Sequence, residues 1–219
     1  MEFMRLYMWF IVVSFLVSLS VYFKSKGSYL YLKLFPPFLL TTLIIEAFGS
    51  YLYSIGKNNL TLYNFFTAFE FLFYFWVISL VINNINMKRI IRTTAILYFF
   101  IAVINILFIQ KMKTFHTITY SLGCLLVVLF CIYYFLELFR IPQSVKLKNN
   151  PAFWICSGLL FFYCCGFPLY GLINYWSDIS KLVVRNFGEI VTILNIFLYT
   201  LFTIAFLCIR TPKYTSLPS

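Results

Sequence analysis

Acidic residues are scarce in this chain: six aspartates and glutamates stand against 17 lysines and arginines, and there is one histidine. A single histidine excludes the multi-imidazole site of a zinc hydrolase and argues against any mixed imidazole–thiolate centre. The six cysteines, Cys124, Cys131, Cys156, Cys164, Cys165 and Cys208, include no C-x-x-C pair and all fall in apolar runs. They read as small packing residues rather than disulfides or metal ligands. No GxSxG, HExxH or nucleotide loop occurs, and no lysine lies in the last apolar run to hold a retinal. No cofactor, metal or catalytic residue is implied, and the chain reads as a non-enzyme.

Charge of either sign is thin as well. Only 11% of residues are charged, while 63% are hydrophobic and 22% aromatic. A soluble domain carries about 25% charged residues, and here too few polar side chains exist to coat the apolar ones. The solvent this sequence is written for is lipid. The net charge of +11 sits almost entirely in short gaps between apolar runs, where it anchors helix ends and meets anionic headgroups. With no basic stripe among polar residues, nucleic acid is excluded as a partner. The lipid bilayer is the partner implied.

A spanning helix needs about 20 mostly apolar residues. Seven runs qualify, at 6–23, 34–55, 63–82, 93–109, 115–138, 152–175 and 187–209. The expected fold is an all-α integral membrane protein, one seven-helix bundle over 1–219. Lys24 and Lys26 follow the first run while only Arg5 precedes it, the pattern of an uncleaved anchor with its N-terminus outside. Alternate gaps then hold eleven lysines and arginines on one side and six on the other. Positive-inside places the N-terminus outside and the C-terminus in the cytoplasm of a bacterial inner membrane.

Prolines mark boundaries. Pro36 and Pro37 should open the second helix, and Asn150-Pro151 the sixth, with asparagine as N-cap. Pro168 lies inside the sixth, between Gly166 and Gly171, and predicts a hinge: a kink or a break.

The unusual chemistry is two carboxylates in the middle of apolar runs. The stretch 62–81 has nine aromatics in twenty residues and one acid, Glu70; the preceding run carries Glu46. Such charges are costly in a membrane and point to function. Tyr63, Thr67, Glu70 and Tyr74 are spaced to share one helix face, as are Thr42, Glu46, Gly49 and Tyr53. The two helices should form a tight hairpin with both acids inward at similar depth, where a pair in contact would share one proton. Asn105, Glu189 and Asn195 extend the candidate proton-, ion- or ligand-binding set, and His116, Tyr170 and Asn174 should lie at the same outer level. Glu137, three residues before Arg140, should form a surface ion pair.

Tyr63-Asn64 followed by Glu70-Phe71, and Asn150-Pro151-x-Phe153-Trp154 followed by Gly158, Tyr163 and Gly166, resemble short seven-helix membrane proteins of Bacteroidota. The resemblance implies the membrane portion of a bacterial sensor without its attached kinase, and carries over no catalytic role. The leading expectation is therefore a sensor or signal-relay module with an outer-half polar pocket, meeting a cytoplasmic signalling protein or forming a homo-oligomer. One alternative is a small proton- or cation-coupled transporter or channel. The other is an oligomeric membrane pore effector, as in antiphage defence.

Overall fold

The computed structural model describes residues 2–24, 30–110, 114–140, 147–171 and 181–208, with the side chains of 2–5, 22–24 and 181–185 excepted. The described chain is helical: α1 (Glu2–Lys24), a single turn α2 (Leu30–Lys33), α3 (Phe35–Ser54), α4 (Leu60–Val81), α5 (Ile85–Ile104), α6 (Thr117–Arg140), α7 (Pro151–Gly171) and α8 (Lys181–Leu207). A π turn, Asn105–Ile109, extends α5, and a 3-10 turn, Leu147–Asn149, precedes α7. Among the described residues, six segments are long and apolar enough to cross a membrane, and Leu6–Val21 of α1 is a shorter apolar helix. By length and composition this is a multi-pass membrane protein. Its outward surface suits lipid: Trp9 is 68% exposed and Phe108 76%.

Helix ends follow the local chemistry. Pro36 lies in the first turn of α3, where its missing N–H leaves no bond unmade. Pro151 starts α7, and the Asn150 side chain accepts the Ala152 N–H at 3.0 Å. The end of α3 is a Schellman turn: Gly56 takes φ +71°, its N–H donates to Tyr53 C=O at 3.1 Å, and the Lys57 N–H donates to Leu52 C=O at 2.9 Å. That turn folds α4 back after five residues.

Two expectations need correction. The fourth long helix begins at Ile85, not near 93, so Lys88, Arg89 and Arg92 sit in its first turns. The cause is Asn84, whose side chain accepts the N–H groups of Asn86 and Met87 and caps the helix early. Glu137 does not pair with Arg140 among the described residues. Its two oxygens accept the consecutive N–H groups of Asn83 and Asn84, each at 2.9 Å. Two orphan amides at a helix start are fixed donors and outcompete one mobile guanidinium.

These bonds also define the ends of the bundle. The end of α6 meets the α4–α5 connection through Glu137, and Cys208 after α8 donates to the Lys148 C=O before α7. Lys88, Arg89, Arg92, Arg140 and Lys148 therefore share one end, here the basic end. At the opposite end, Asn64 ties the start of α4 to the approach of α6: its amide donates to Thr114 C=O at 2.8 Å and its oxygen accepts the His116 N–H at 3.1 Å.

The other helices form an arc around α4, open between α3 and α5. α1 packs on α3 and α8, α8 on α7, α7 on α6, and α5 and α6 on α4. The aromatic run makes α4 the centre. Phe73 stacks on Phe38 of α3 at 3.9 Å, and Phe71 meets Tyr98 of α5, Tyr120 of α6 and Tyr163 of α7. The aromatics do not serve all sides equally, since Phe65, Phe69 and Trp76 form an outward stripe. Toward the basic end, Phe35 sits fully buried with four rings around it: Phe38, Phe73, Phe202 and Phe206. That half of the bundle is filled with packed aromatic side chains.

Candidate functional site

Glu46 lies eight residues before the end of α3 and Glu70 ten residues after the start of α4. At ~1.5 Å per residue, both stand about 12–15 Å in from the end opposite the basic one. Each carboxyl has its own tyrosine donors. Oε2 of Glu46 accepts the hydroxyl of Tyr7 on α1 at 2.6 Å and that of Tyr63 on α4 at 3.1 Å. Oε1 of Glu70 accepts the hydroxyl of Tyr74, one turn along the same helix, at 3.0 Å.

Tyr63 reaches Glu46 because Gly49, three residues further along α3, has no side chain. A Cβ there would stand 2.5 Å from the Tyr63 hydroxyl oxygen. Asn59 then clamps the same spot, donating to the Gly49 C=O at 3.3 Å. Glycine, tyrosine and acid thus form one joint between α3 and α4.

The two carboxyl groups lie within electrostatic reach of each other, and no hydrogen bond joins them. Instead of one shared proton there are two separately held acids. The remaining oxygen of each, Oε1 of Glu46 and Oε2 of Glu70, has no donor among the described residues. Both acids are deep among protein atoms, yet both side chains keep some accessible surface.

Further tyrosines stand near the acids. Tyr199 of α8 and Tyr170 of α7 are within electrostatic reach of both acids. Tyr163 of α7 lies with its ring 5.9 Å from Tyr74, and its hydroxyl stands beside Glu70 without the geometry of a hydrogen bond. Among the described residues, no lysine or arginine acts on either acid, and no group of three or more histidine, cysteine or acidic side chains could hold a metal.

The other expected site residues are placed elsewhere. The Asn105 amide donates to Gln110 Oε1 at 3.0 Å and to Thr119 at 3.3 Å, and Gln110 donates to Thr117 at 2.9 Å. This polar knot joins the π turn of α5 to the start of α6, and the buried Asn105 Oδ1 has no partner in it. Tyr98 links the knot to the acids, donating to Thr119 C=O at 3.2 Å while within electrostatic reach of Glu70. His116 and Thr67 line a small crevice beside Asn64, Tyr98 and Tyr120. Asn195 donates to Val191 C=O on its own helix, and Glu189 is exposed on α8. Asn174 lies outside the described residues.

At the expected hinge, α7 stays helical through Pro168 as far as Gly171. Its two glycines serve close packing on α6. A Cβ at Gly166 would stand 3.1 Å from the Tyr120 hydroxyl, and one at Gly171 2.9 Å from Ser121 Oγ.

Sequence reasoning missed Tyr7 and Asn64. The signal for Tyr7 was present, because Tyr7, Ile11, Ser14 and Ser18 follow helical spacing, and the last three are fully buried. A face of α1 carrying hydroxyls must look inward.

Comparison of the chain with protein-family models, with curated proteins and with solved structures gives no match.

Proposed function

We propose that this chain is a seven-span sensor or signal-relay protein of a bacterial cytoplasmic membrane, with its N-terminus outside and its basic end in the cytoplasm. It performs no catalysis. A proton or small ligand reaches Glu46 and Glu70 from the outer side. The tyrosines that hold the acids come from α1 and α4, with Tyr163 and Tyr199 beside them on α7 and α8, so a change of charge at the acids is felt by helices that end at both faces. The basic end, with Lys88, Arg89, Arg92, Arg140 and Lys148, is the surface offered to a cytoplasmic signalling protein or to a second copy.

One observation carries this reading: each intramembrane acid is held by tyrosine through one oxygen, and the other oxygen has no donor among the described residues. Intramembrane ionisable groups are expensive and serve function as a rule. The aromatic filling of the basic half, where Phe35, Phe38 and Phe73 pack together, supports a receptor over a pore. Those carboxyl oxygens equally suit a proton- or cation-coupled transporter, the second reading. Proteoliposomes separate the two. The sensor reading expects no proton flux above protein-free vesicles when a pH gradient is imposed and an entrapped pH dye is followed. A sustained flux that disappears in Glu70→Gln would transfer the site to the transporter.

A further inference from the structure

We propose that an anionic glycerophospholipid lies in the opening between α3 and α5, its phosphate held by Lys88 and Arg92 and one acyl chain laid along α4. This assignment needs only the membrane setting and the basic end, so it holds whichever way Glu46 and Glu70 work.

The opening has an apolar floor. Where the arc leaves α4 uncovered, Phe65, Phe69 and Trp76 are about half exposed, and half-buried Leu72 lies on the same stripe. At ~1.5 Å per residue, Trp76 stands about 8 Å, Leu72 about 14 Å and Phe69 about 18 Å in from the basic end of α4. One leaflet of hydrocarbon is roughly 15 Å deep. An acyl chain entering at the basic end therefore covers Trp76 and Leu72 and ends near Phe69.

The rim beside this floor is cationic. Tyr98 and Asn105 turn one flank of α5 toward α6, where both bond to Thr119. With about 3.6 residues per turn, Lys88 and Arg92 stand about 80° and 120° round the helix from Tyr98, beyond buried Ile91. That is the flank away from α6, beside the opening. Lys88 is half-buried and Arg92 exposed, and neither has an ion pair among the described residues. Glu137, the described acid at this end, spends both oxygens on the Asn83 and Asn84 N–H groups. Four residues apart, the two cations are neighbours on one face and can close on a single phosphate. They lie about 5 and 10 Å in from the start of α5, level with Trp76. The Trp76 indole N–H has no acceptor among the described residues, and a glycerophospholipid carries its ester carbonyls just below the phosphate.

Other occupants fit less well. A two-fold dimer through this face would bring Lys88 and Arg92 of both copies to one level, like charge against like. A zwitterionic lipid carries its own cation beside the phosphate and gains less. Free phosphate leaves the apolar floor uncovered. Arg89, Arg140 and Lys148 remain at the end of the bundle for the partner proposed above.

The test uses the full chain with Trp9→Phe, Trp154→Phe and Trp176→Phe, in phosphatidylcholine nanodiscs. Trp76 emission is followed as dibrominated phosphatidylglycerol or dibrominated phosphatidylcholine replaces the host lipid. Quenching should favour phosphatidylglycerol about tenfold or more, at about fivefold per basic residue. Lys88→Gln combined with Arg92→Gln should abolish that preference. Arg140→Gln, at the same end but on α6, should keep it.

Equal quenching by the two lipids would overturn the assignment. So would an equal loss of preference in Arg140→Gln, the mark of a general surface field, or removal of the preference by soluble glycerol 3-phosphate. Weak quenching by both lipids, with disulfide-linked dimers of Trp76→Cys that the wild type does not form, would give the face to a second copy. If the single-tryptophan chain does not fold, the wild-type chain decides by native mass spectrometry. Phosphatidylglycerol should then be retained over phosphatidylcholine, and retention without preference would overturn the assignment.

Discussion

Phe35→Ala should be among the most damaging single substitutions in the chain. Phe35 is fully buried at the start of α3, with ring centroids 5.3 Å from Phe73, 5.2 Å from Phe202 and 5.4 Å from Phe206. It is the point where α3, α4 and α8 meet. In water, Phe→Ala in a core costs about 3–5 kcal/mol, combining a transfer term and a cavity term. In a bilayer much of the transfer term falls away, because lipid is as apolar as the interior. The cavity and the lost edge-to-face contacts remain, so about 2–4 kcal/mol is expected, read by denaturant unfolding in mixed micelles. A second effect follows from position. The same ring lies between the acids and the basic end, so its loss opens space there. Phe35→Ala proteoliposomes should leak protons where the wild type does not. Phe35→Leu, which keeps most of the volume, should stay tight.

The second large effect is a pair of substitutions that cancel. Gly49→Ala places a methyl 2.5 Å from the Tyr63 hydroxyl oxygen and 2.8 Å from its ring carbon Cζ. Alanine is the better helix former by about 1 kcal/mol, so propensity alone would predict a gain. The clash reverses it. Tyr63 must leave Glu46, and overpacking of this kind costs about 1–3 kcal/mol before the lost hydrogen bond is counted. In a Tyr63→Ala background the obstacle is gone and Gly49→Ala should become neutral or mildly stabilising. A double-mutant cycle on unfolding free energy should return a coupling of about 1–3 kcal/mol. Additivity of the two changes would mean that Tyr63 does not sit against Gly49, and the α3–α4 joint would fall with it.

Much of the fold was legible because a membrane leaves few choices. Long apolar runs must be helices, since no water is present to satisfy backbone groups. Pro36, Gly56 and Asn150-Pro151 then set the ends through caps whose geometry is local. What failed was non-local. Helix α5 starts at Ile85 because Asn84 and Glu137 supply caps from the connection and from α6, and hydropathy cannot see a cap that pairs residues more than fifty positions apart.

The site was half legible for the same reason. The spacing of Tyr63, Glu70 and Tyr74 places them on one face, and the Tyr74–Glu70 hydrogen bond follows from it because i, i+4 geometry is fixed by the helix. Sequence could not say that Tyr63 serves the acid on the other helix, nor that Tyr7 crosses from α1 to the same oxygen. Those pairings depend on which helices neighbour one another. Asn105 went to the knot at the start of α6 because Gln110, five residues on, is a nearer acceptor than Glu70.

One-sided access to the acids can be measured directly. Full-length protein in oriented vesicles is treated from one side at a time with a membrane-impermeant carbodiimide, and carboxyl modification is read by mass spectrometry. Adducts on Glu46 and Glu70 are expected from the side opposite Lys88, Arg89 and Arg92, and none from the basic side, with Glu137 as the control labelled only from the basic side. Modification of Glu70 from the basic side, or no modification of either acid from either side, would contradict one-sided access.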